Sequence, residues 1–198
     1  MTYNTFFTSL NRSIFLSLTL VSFCFSLTSF ANEKKEVVLK NSSVSWVGTK
    51  VTGSHEGTVN LKSAFLSFDN DILVGGSFVI DMETIICTDL SGKGKAGLEG
   101  HLKSDDFFDV EKYPTAHLDI IDIKKGLGED YKVVANITIK GLTKKISFGA
   151  IVNNDTAKAK IIVDRTEFGI IYKSGNFFKD LADKAIYDDF EMLIHLSF

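Results

Sequence analysis

The stretch YKVVANITIK at residues 131–140 decides the fold class of this sequence. All of its odd-numbered positions are apolar, and its even-numbered positions are polar or charged except Val134. Alternation with a period of two places successive side chains on opposite faces of a strand. The stretch therefore predicts a β-strand with one buried face, which is formed by Tyr131, Val133, Ala135, Ile137 and Ile139.

Similar strands are predicted on both sides of this stretch. The alternation recurs clearly at residues 146–152, 157–163 and 190–198, and with more noise at residues 44–53, 55–68 and 72–85. In the run at 55–68, the side chains of Val59, Leu61 and Phe65 are expected on one side. The run at 118–123 changes parity after Ile120, and a one-residue bulge is the simplest explanation.

About eight strands joined mostly by short turns predict antiparallel neighbours. The strands are longer than the usual five or six residues, which favours an up-and-down barrel over two packed sheets. Residues 88–109 lack alternation and predict a helical crossover that packs Leu98, Leu102, Phe107 and Phe108 against one end of the sheet. The predicted fold is therefore all-β, an eight-stranded antiparallel up-and-down barrel with a short helical insert.

The first 31 residues differ from the rest and predict a secretory signal peptide. They hold one charge, Arg12, followed by an apolar run at 14–30 and a cleavage site after Ala31. The mature domain is then residues 32–198, in the periplasm or secreted. Two alternatives remain open: the run stays as a membrane anchor, or Cys24 carries a lipid, which the bulky preceding phenylalanine disfavours.

Composition excludes some classes of protein. Removal of Arg12 with the signal peptide changes the net charge from −3 to −4, which excludes a generally basic nucleic-acid-binding protein. The mature chain keeps a single cysteine, Cys87, so no disulfide forms within it. The fold must therefore be stabilised by burial of apolar side chains alone.

No catalytic or metal-binding motif stands out. Gly92, Gly94 and Gly97 match a dinucleotide-binding spacing, but the expected strand–helix–strand context is missing. The four histidines lack metal-ligand spacing, and Cys87 follows two isoleucines, which is typical of an inert buried thiol. Arg165 directly follows an aspartate, and we interpret it as part of a structural ion pair at the barrel rim, with a ligand head group as the alternative partner.

Five blocks of the sequence resemble the YceI family, whose members are lipocalin-like, polyisoprenoid-binding proteins exported to the bacterial periplasm. The blocks are WVGTK at 46–50, GSHEG at 53–57, HLKSDDFFDV at 101–110, GLTK at 141–144 and DRTEFGI at 164–170. The resemblance spans residues 37–198. It implies an eight-stranded antiparallel barrel with a helical segment, a long apolar cavity for an isoprenoid quinone tail or another amphiphilic lipid, and no enzymatic reaction.

On this basis we expect the protein to bind, store or transport a long-chain lipid in its cavity without a cofactor or metal. The expected wall residues are Trp46, Phe65, Phe78, Ile80, Leu118, Ile120, Val133, Ile137, Phe148, Ile161 and Met192. Residues expected at a lid or plug are Phe107, Phe108 and Phe168, and those expected at a polar head group are His55, His101, Arg165 and Tyr172.

The expected partners are an apolar lipid ligand and, transiently, a membrane, whereas no nucleic acid is expected. The sequence leaves the oligomeric state open, with a dimer as one option. Two other functions also stay open at this point. One is a lipid-modifying enzyme that uses histidine and aspartate residues in the cavity, and the other is a filled barrel that acts as an interaction module.

Overall fold

The computed structural model describes Met1 and residues 33–198. The predicted signal peptide and the alternatives for residues 1–31 therefore lie outside the described residues, apart from Met1. Within residues 33–198 the strands are β1 (Glu33–Glu36), β2 (Ser43–Lys50), β3 (Gly53–Asp69), β4 (Ile72–Cys87), β5 (Thr115–Lys125), β6 (Asp130–Ile139), β7 (Leu142–Val152), β8 (Thr156–Asp164) and β9 (Ile186–Ser197). Helix α1 (Gly92–Lys103) follows β4, and short 3-10 helices occupy Leu39–Asn41, Arg165–Phe168 and Ala182–Lys184.

The strands close into a barrel. All pairings between them are antiparallel, and the order β3-β2-β9-β8-β7-β6-β5-β4 returns to its start because β4 also pairs with β3. The result is a closed eight-stranded antiparallel barrel with one helix in the described part of the chain, which confirms the predicted fold class.

Strand β1 is an addition to the predicted set. It pairs with the second half of β3, where Glu36 lies opposite Phe65, while β2 pairs with the first half. The backbone N–H of Val38 donates to the carbonyl of Ser197 at 2.7 Å, so the segment after β1 also contacts β9. Together β1 and β2 therefore occupy one position in the barrel wall, between β3 and β9.

An irregularity in β3 corrects one prediction. The register between β3 and β4 shifts between Leu61 and Ser63, so the buried side chains in the second half of β3 are those of Ala64, Leu66 and Phe68. Phe65 therefore lies on the outer face, where Nζ of Lys34 is 3.8 Å from its ring centroid. Its predicted place beside Leu61 in the cavity wall is wrong, because an extra residue in the strand reverses the side-chain parity.

A second irregularity agrees with the sequence. The register between β5 and β6 shifts between Ile120 and Asp122, which is the bulge predicted from the change of parity after Ile120. Leu118 and Ile120, which precede the bulge, face the interior with Val133 of β6. The bulge returns Ile123, which follows it at an odd spacing, to the same buried face.

Helix α1 covers one end of the barrel, which we call the helix end. It spans Gly92–Lys103 and is shorter than the predicted insert, because the chain turns at Ser104, whose carbonyl accepts from the N–H of Phe107. Leu98 and Leu102 lie one turn apart on its inner side and pack against the barrel. The opposite end, which we call the far end, carries the β3–β4 turn and the β5–β6 turn. None of the helices in residues 33–198 has the length and hydropathy needed to cross a bilayer.

The pairing between β7 and β8 is short. It comprises three residue pairs, from Ala150–Ala159 to Val152–Ala157, at the far end of the barrel. By contrast, β8 pairs with β9 along its whole length, from Thr156 to Asp164. Towards the helix end, β7 therefore separates from β8, and buried Phe168 lies in the 3-10 helix that directly follows β8.

Candidate functional site

Two apolar cavities lie inside the barrel formed by the described residues. The helix-end cavity has a volume of about 100 Å³, and its lining includes Leu102, Phe107 and Phe108. The far-end cavity has a volume of about 70 Å³, and its lining includes Leu66 and Leu73. The interior is therefore not filled completely by its own side chains.

Three side chains separate the two cavities and line both of them. They are Ile80 of β4, Ile137 of β6 and Met192 of β9, and we call them the waist. Each cavity is smaller than the roughly 150 Å³ that accommodates benzene in an engineered protein core. A longer chain thus occupies both cavities only if the waist side chains move, and the unbranched side chain of Met192 is the most adaptable of the three.

The structure distributes the predicted wall residues between the two cavities. Trp46, Phe107 and Phe108 line the helix-end cavity. Those that line the far-end cavity are Phe78, Leu118, Ile120, Val133, Phe148 and Ile161. Phe168 is 1% exposed and packs in the apolar core of the helix end, but it lines neither cavity. Contact of these side chains with a lipid stays a prediction.

Several lining residues were missed by the sequence analysis. On β4, Met82 continues the inward parity of Ile80, so alternation was a sufficient signal for it. Ile186, Tyr187 and Asp189 also line the helix-end cavity. No sequence signal marked these three, because they begin β9 ahead of its clearly alternating run.

Arg165 is a buried part of the cavity wall, with 3% of its surface exposed. Its guanidinium donates to the backbone carbonyls of Ile170, Ile186 and Tyr187 at 2.6, 3.0 and 3.1 Å, and to Oδ1 of Asp188 at 3.3 Å. Burial lowers the pKa of Arg165, and the negative charge of Asp188 opposes that change. These contacts are those of a structural ion pair, as the sequence analysis favoured.

His101 and Tyr172 form an aromatic cluster behind the helix-end cavity. The His101 ring lies edge-on against Phe107 and Tyr172, with centroids 4.9 and 4.4 Å away. Its Nδ1 is 3.9 Å from Oδ2 of Asp106. Neither His101 nor Tyr172 lines a cavity. The structure places both behind Phe107, which lines the helix-end cavity, so they do not occupy the predicted position beside a ligand head group.

His55 belongs to a polar cluster that lines neither cavity. Its Nδ1 lies 2.8 Å from Oδ2 of Asp89, and Oδ1 of Asp89 accepts from the Cys87 thiol at 3.0 Å. These two contacts hold the pKa of Asp89 far below its usual range, whereas burial raises the pKa of the Cys87 thiol. Across residues 33–198, no group of three His, Cys, Asp or Glu side chains is placed to hold a metal ion.

Two buried side-chain nitrogen atoms in the described part of the chain have no hydrogen-bond partner. They are Nε1 of Trp46 and Nε2 of His101. Trp46 lines the helix-end cavity, and His101 packs against Phe107, which lines it too. The polar atoms that lack partners therefore gather at the helix end of the barrel.

A family model described as "YceI-like domain" matches residues 36–198. The chain belongs to the YceI-like family. This confirms the resemblance that the five sequence blocks carried.

Among curated relatives, a UPF0312 protein of Pectobacterium carotovorum is 31% identical over 104 residues, which are 48% of this chain and 50% of the relative. A UPF0312 protein of Yersinia pestis is 30% identical over 101 residues, 47% of this chain and 49% of the relative. The aligned part thus spans about half the length of these two relatives.

Solved structures share the YceI-like fold at low sequence identity. BcnA of Burkholderia cenocepacia has a TM-score of 0.66 at 23% identity, covering 82% of this chain and 99% of the other. A domain from Saccharophagus degradans, described as polyisoprenoid binding, has a TM-score of 0.57 at 12% identity, covering 84% and 98%. The YCEI protein of Campylobacter jejuni has a TM-score of 0.53 at 16% identity, covering 96% and 98%. At these identities the likeness establishes the fold.

Proposed function

We propose that this YceI-like barrel binds a long apolar lipid, such as a polyisoprenoid, an isoprenoid quinone or a similar amphiphile, and stores or transports it unchanged. The observation that carries the proposal is the pair of apolar cavities separated only by the waist. The description of the Saccharophagus degradans neighbour as a polyisoprenoid binding domain supports the same ligand class.

The physical reason for such a carrier is the cost of exposing hydrocarbon to water. Each methylene that is transferred from water to an apolar wall gains about 0.8 kcal/mol. A prenyl chain that lies through both cavities replaces water with the side chains of β4, β6 and β9 along its length. The energy gained by burial is then available to move Met192 and its neighbours out of the way.

An unpaired polar atom orients the proposed ligand. Both cavities have almost wholly apolar walls, and the charged residues Lys158 and Asp189 at their edges are exposed. The helix-end cavity differs in one respect, since it is lined by Trp46, whose Nε1 has no hydrogen-bond partner. The proposal therefore places the polar head group at the helix end and points the tail to the far end.

The proposal places the protein in the periplasm or in a secreted form, since the signal peptide predicted for residues 1–31 directs export. The alternative of a lipid-modifying enzyme gains no support, because His55 and Asp89 lie 2.8 Å apart but line neither cavity. The interaction-module alternative requires a filled barrel, which the two cavities do not favour.

The test is recovery of the bound lipid from protein produced in its native host. Organic extraction and mass spectrometry are expected to show a prenyl or long-chain acyl lipid. Met192→Trp is expected to reduce the recovered lipid about tenfold, because the larger side chain overpacks the waist. Leu193→Trp adds the same group at the neighbouring, outward-facing position, which is 45% exposed, and is expected to behave as wild type.

Absence of any co-purifying lipid, together with no uptake of an added isoprenoid quinone, would contradict the proposal. Equal lipid recovery from Met192→Trp and Leu193→Trp would show that the ligand lies outside the waist.

The proposal includes transient contact with a membrane at the helix end. Phe177 and Phe178 are 56% and 45% exposed, and Lys173, Lys179 and Lys184 lie near them in the sequence of the segment before β9. The N–H of Ile186, which lines the helix-end cavity, donates to the carbonyl of Lys173 at 2.9 Å. Exposed aromatic rings beside lysines suit the interface of an anionic bilayer.

Replacing both phenylalanines by serine is expected to slow transfer of a quinone from anionic vesicles at least about fivefold, because the loop loses its apolar anchor. The measurement is the rate of transfer from vesicles that contain phosphatidylglycerol. Leu127→Ser serves as the control, since Leu127 is 91% exposed in the β5–β6 turn at the far end. If the double variant and this control transfer lipid at the same rate, the contact lies elsewhere.

A further inference from the structure

We infer that the ligand of this barrel has an uncharged head group with an acceptor oxygen, and that this oxygen accepts a hydrogen bond from Nε1–H of Trp46 in the helix-end cavity. The inference rests on the proposed function and narrows its ligand class. It favours a ketone, quinone, ester or amide over a prenyl pyrophosphate or a free fatty acid.

Trp46 is a buried donor that lacks an acceptor. Its side chain lines the helix-end cavity, the residue is 8% exposed, and Nε1 has no hydrogen-bond partner in the structure. The indole N–H can only donate, so a carbonyl or hydroxyl oxygen is the group that satisfies it. Burying a donor without a partner is costly, and an acceptor on the ligand removes that cost.

Gly57 holds the indole ring in place. It lies opposite Trp46 on the neighbouring strand β3. A Cβ atom on Gly57 would overlap the Trp46 ring and the carbonyl oxygen of Ile86. The glycine therefore permits a close approach that fixes the plane of the indole, and the N–H keeps one direction.

The charges around the cavity disfavour an anionic head group. Arg165 is the cation in the lining, but four of its five N–H groups already donate, to three backbone carbonyls and to Asp188. Its charge is thus neutralised within the wall. A phosphate or carboxylate on the ligand therefore finds no free positive charge in the lining.

The experiment compares three ligands with the same prenyl chain: a methyl ketone, the hydrocarbon without a head group and the pyrophosphate. Partition of each labelled ligand from phosphatidylcholine vesicles into the protein is measured for wild type and for Trp46→Phe. The ketone-to-hydrocarbon ratio is then compared between the two proteins, so different solubilities in the vesicle cancel. Since the chain has one tryptophan, its fluorescence independently reports occupancy of the helix-end cavity in wild type.

In Trp46→Phe the ketone-to-hydrocarbon ratio is expected to fall about tenfold, because the N–H donor is lost, whereas the smaller aromatic ring weakens the binding of both ligands alike. Phe148→Leu, in the far-end cavity, is the matched control and is expected to change both affinities together, with an unchanged ratio. An unchanged ratio in Trp46→Phe would overturn the inference, as would tighter binding of the pyrophosphate than of the ketone. In those cases binding of the hydrocarbon still supports the proposed function, whereas binding of none of the three ligands contradicts the proposed function itself.

Discussion

Replacing Ile137 by aspartate is expected to destabilise the barrel by about 3–5 kcal/mol and to abolish uptake of an isoprenoid quinone. Ile137 is 2% exposed, lies two residues before the end of β6 and lines both cavities. The change removes a large apolar side chain from the core and places a carboxyl group among apolar neighbours. Urea-induced unfolding measures the loss of stability, and quinone binding measures the loss of function.

The matched control is Asn136→Asp, which adds the same charge to the same strand. Asn136 has the opposite parity and is not part of either cavity lining. Its effect is expected to stay within about 0.5 kcal/mol, as for most changes on an outer face. Wild-type stability and quinone uptake in Ile137→Asp would mean that the inner and outer faces of β6 are assigned in reverse.

Replacing Arg165 by alanine is expected to cost about 3–5 kcal/mol, because it breaks a buried ion pair by removing one partner. The carboxylate of Asp188 and the carbonyls of Ile170, Ile186 and Tyr187 would lose their shared donor. The free energy of unfolding, measured by urea denaturation, tests this. The start of β9 is expected to lose amide-exchange protection first, since it supplies Ile186, Tyr187 and Asp188.

Lys160→Ala is the control for this second prediction. Lys160 of β8 forms an ion pair with Glu191 of β9 at 2.8 Å, close to Arg165 in the sequence, but its side chain is 52% exposed. Exposed ion pairs of this kind contribute about 0–1 kcal/mol. Equal losses in Arg165→Ala and Lys160→Ala would show that the guanidinium does not hold the helix end together.

The regular part of the fold was predictable because burial imposes a simple period on each strand. The alternation at 131–140 predicted the buried side chains of β6, all of which are buried in the structure. The change of parity after Ile120 predicted a bulge, and one is present. In both cases the information is local, because apolar and polar side chains must alternate along a strand that has one buried and one solvent-exposed face.

Other features of the strands were missed. Phe65 was assigned to the wrong face, although the consecutive polar residues Lys62 and Ser63 interrupt the alternation of β3 just before it and mark the irregularity. Strand β1 consists of the charged residues EKKE, and it is a strand because its backbone pairs with β3.

The candidate site was predictable only in its apolar part. Lining residues such as Phe78 and Ile161 follow from the alternation of their strands. The polarity of the helix end does not, because it depends on which donors find acceptors after folding. Trp46 was expected only as an apolar part of the cavity wall, yet its Nε1 has no hydrogen-bond partner. Arg165 donates to backbone carbonyls about twenty residues away in the sequence.

The short pairing between β7 and β8 is the weakest part of the barrel wall. Three residue pairs join these two strands, whereas β6 and β7 are paired from Asp130 to Ile139. Opening a backbone hydrogen bond costs about 0.5–1.5 kcal/mol. Because fewer such bonds join β7 and β8, the barrel widens between these two strands at the lowest free-energy cost. Under the proposed function, a ligand too thick for the unoccupied interior is therefore expected to widen the barrel between β7 and β8.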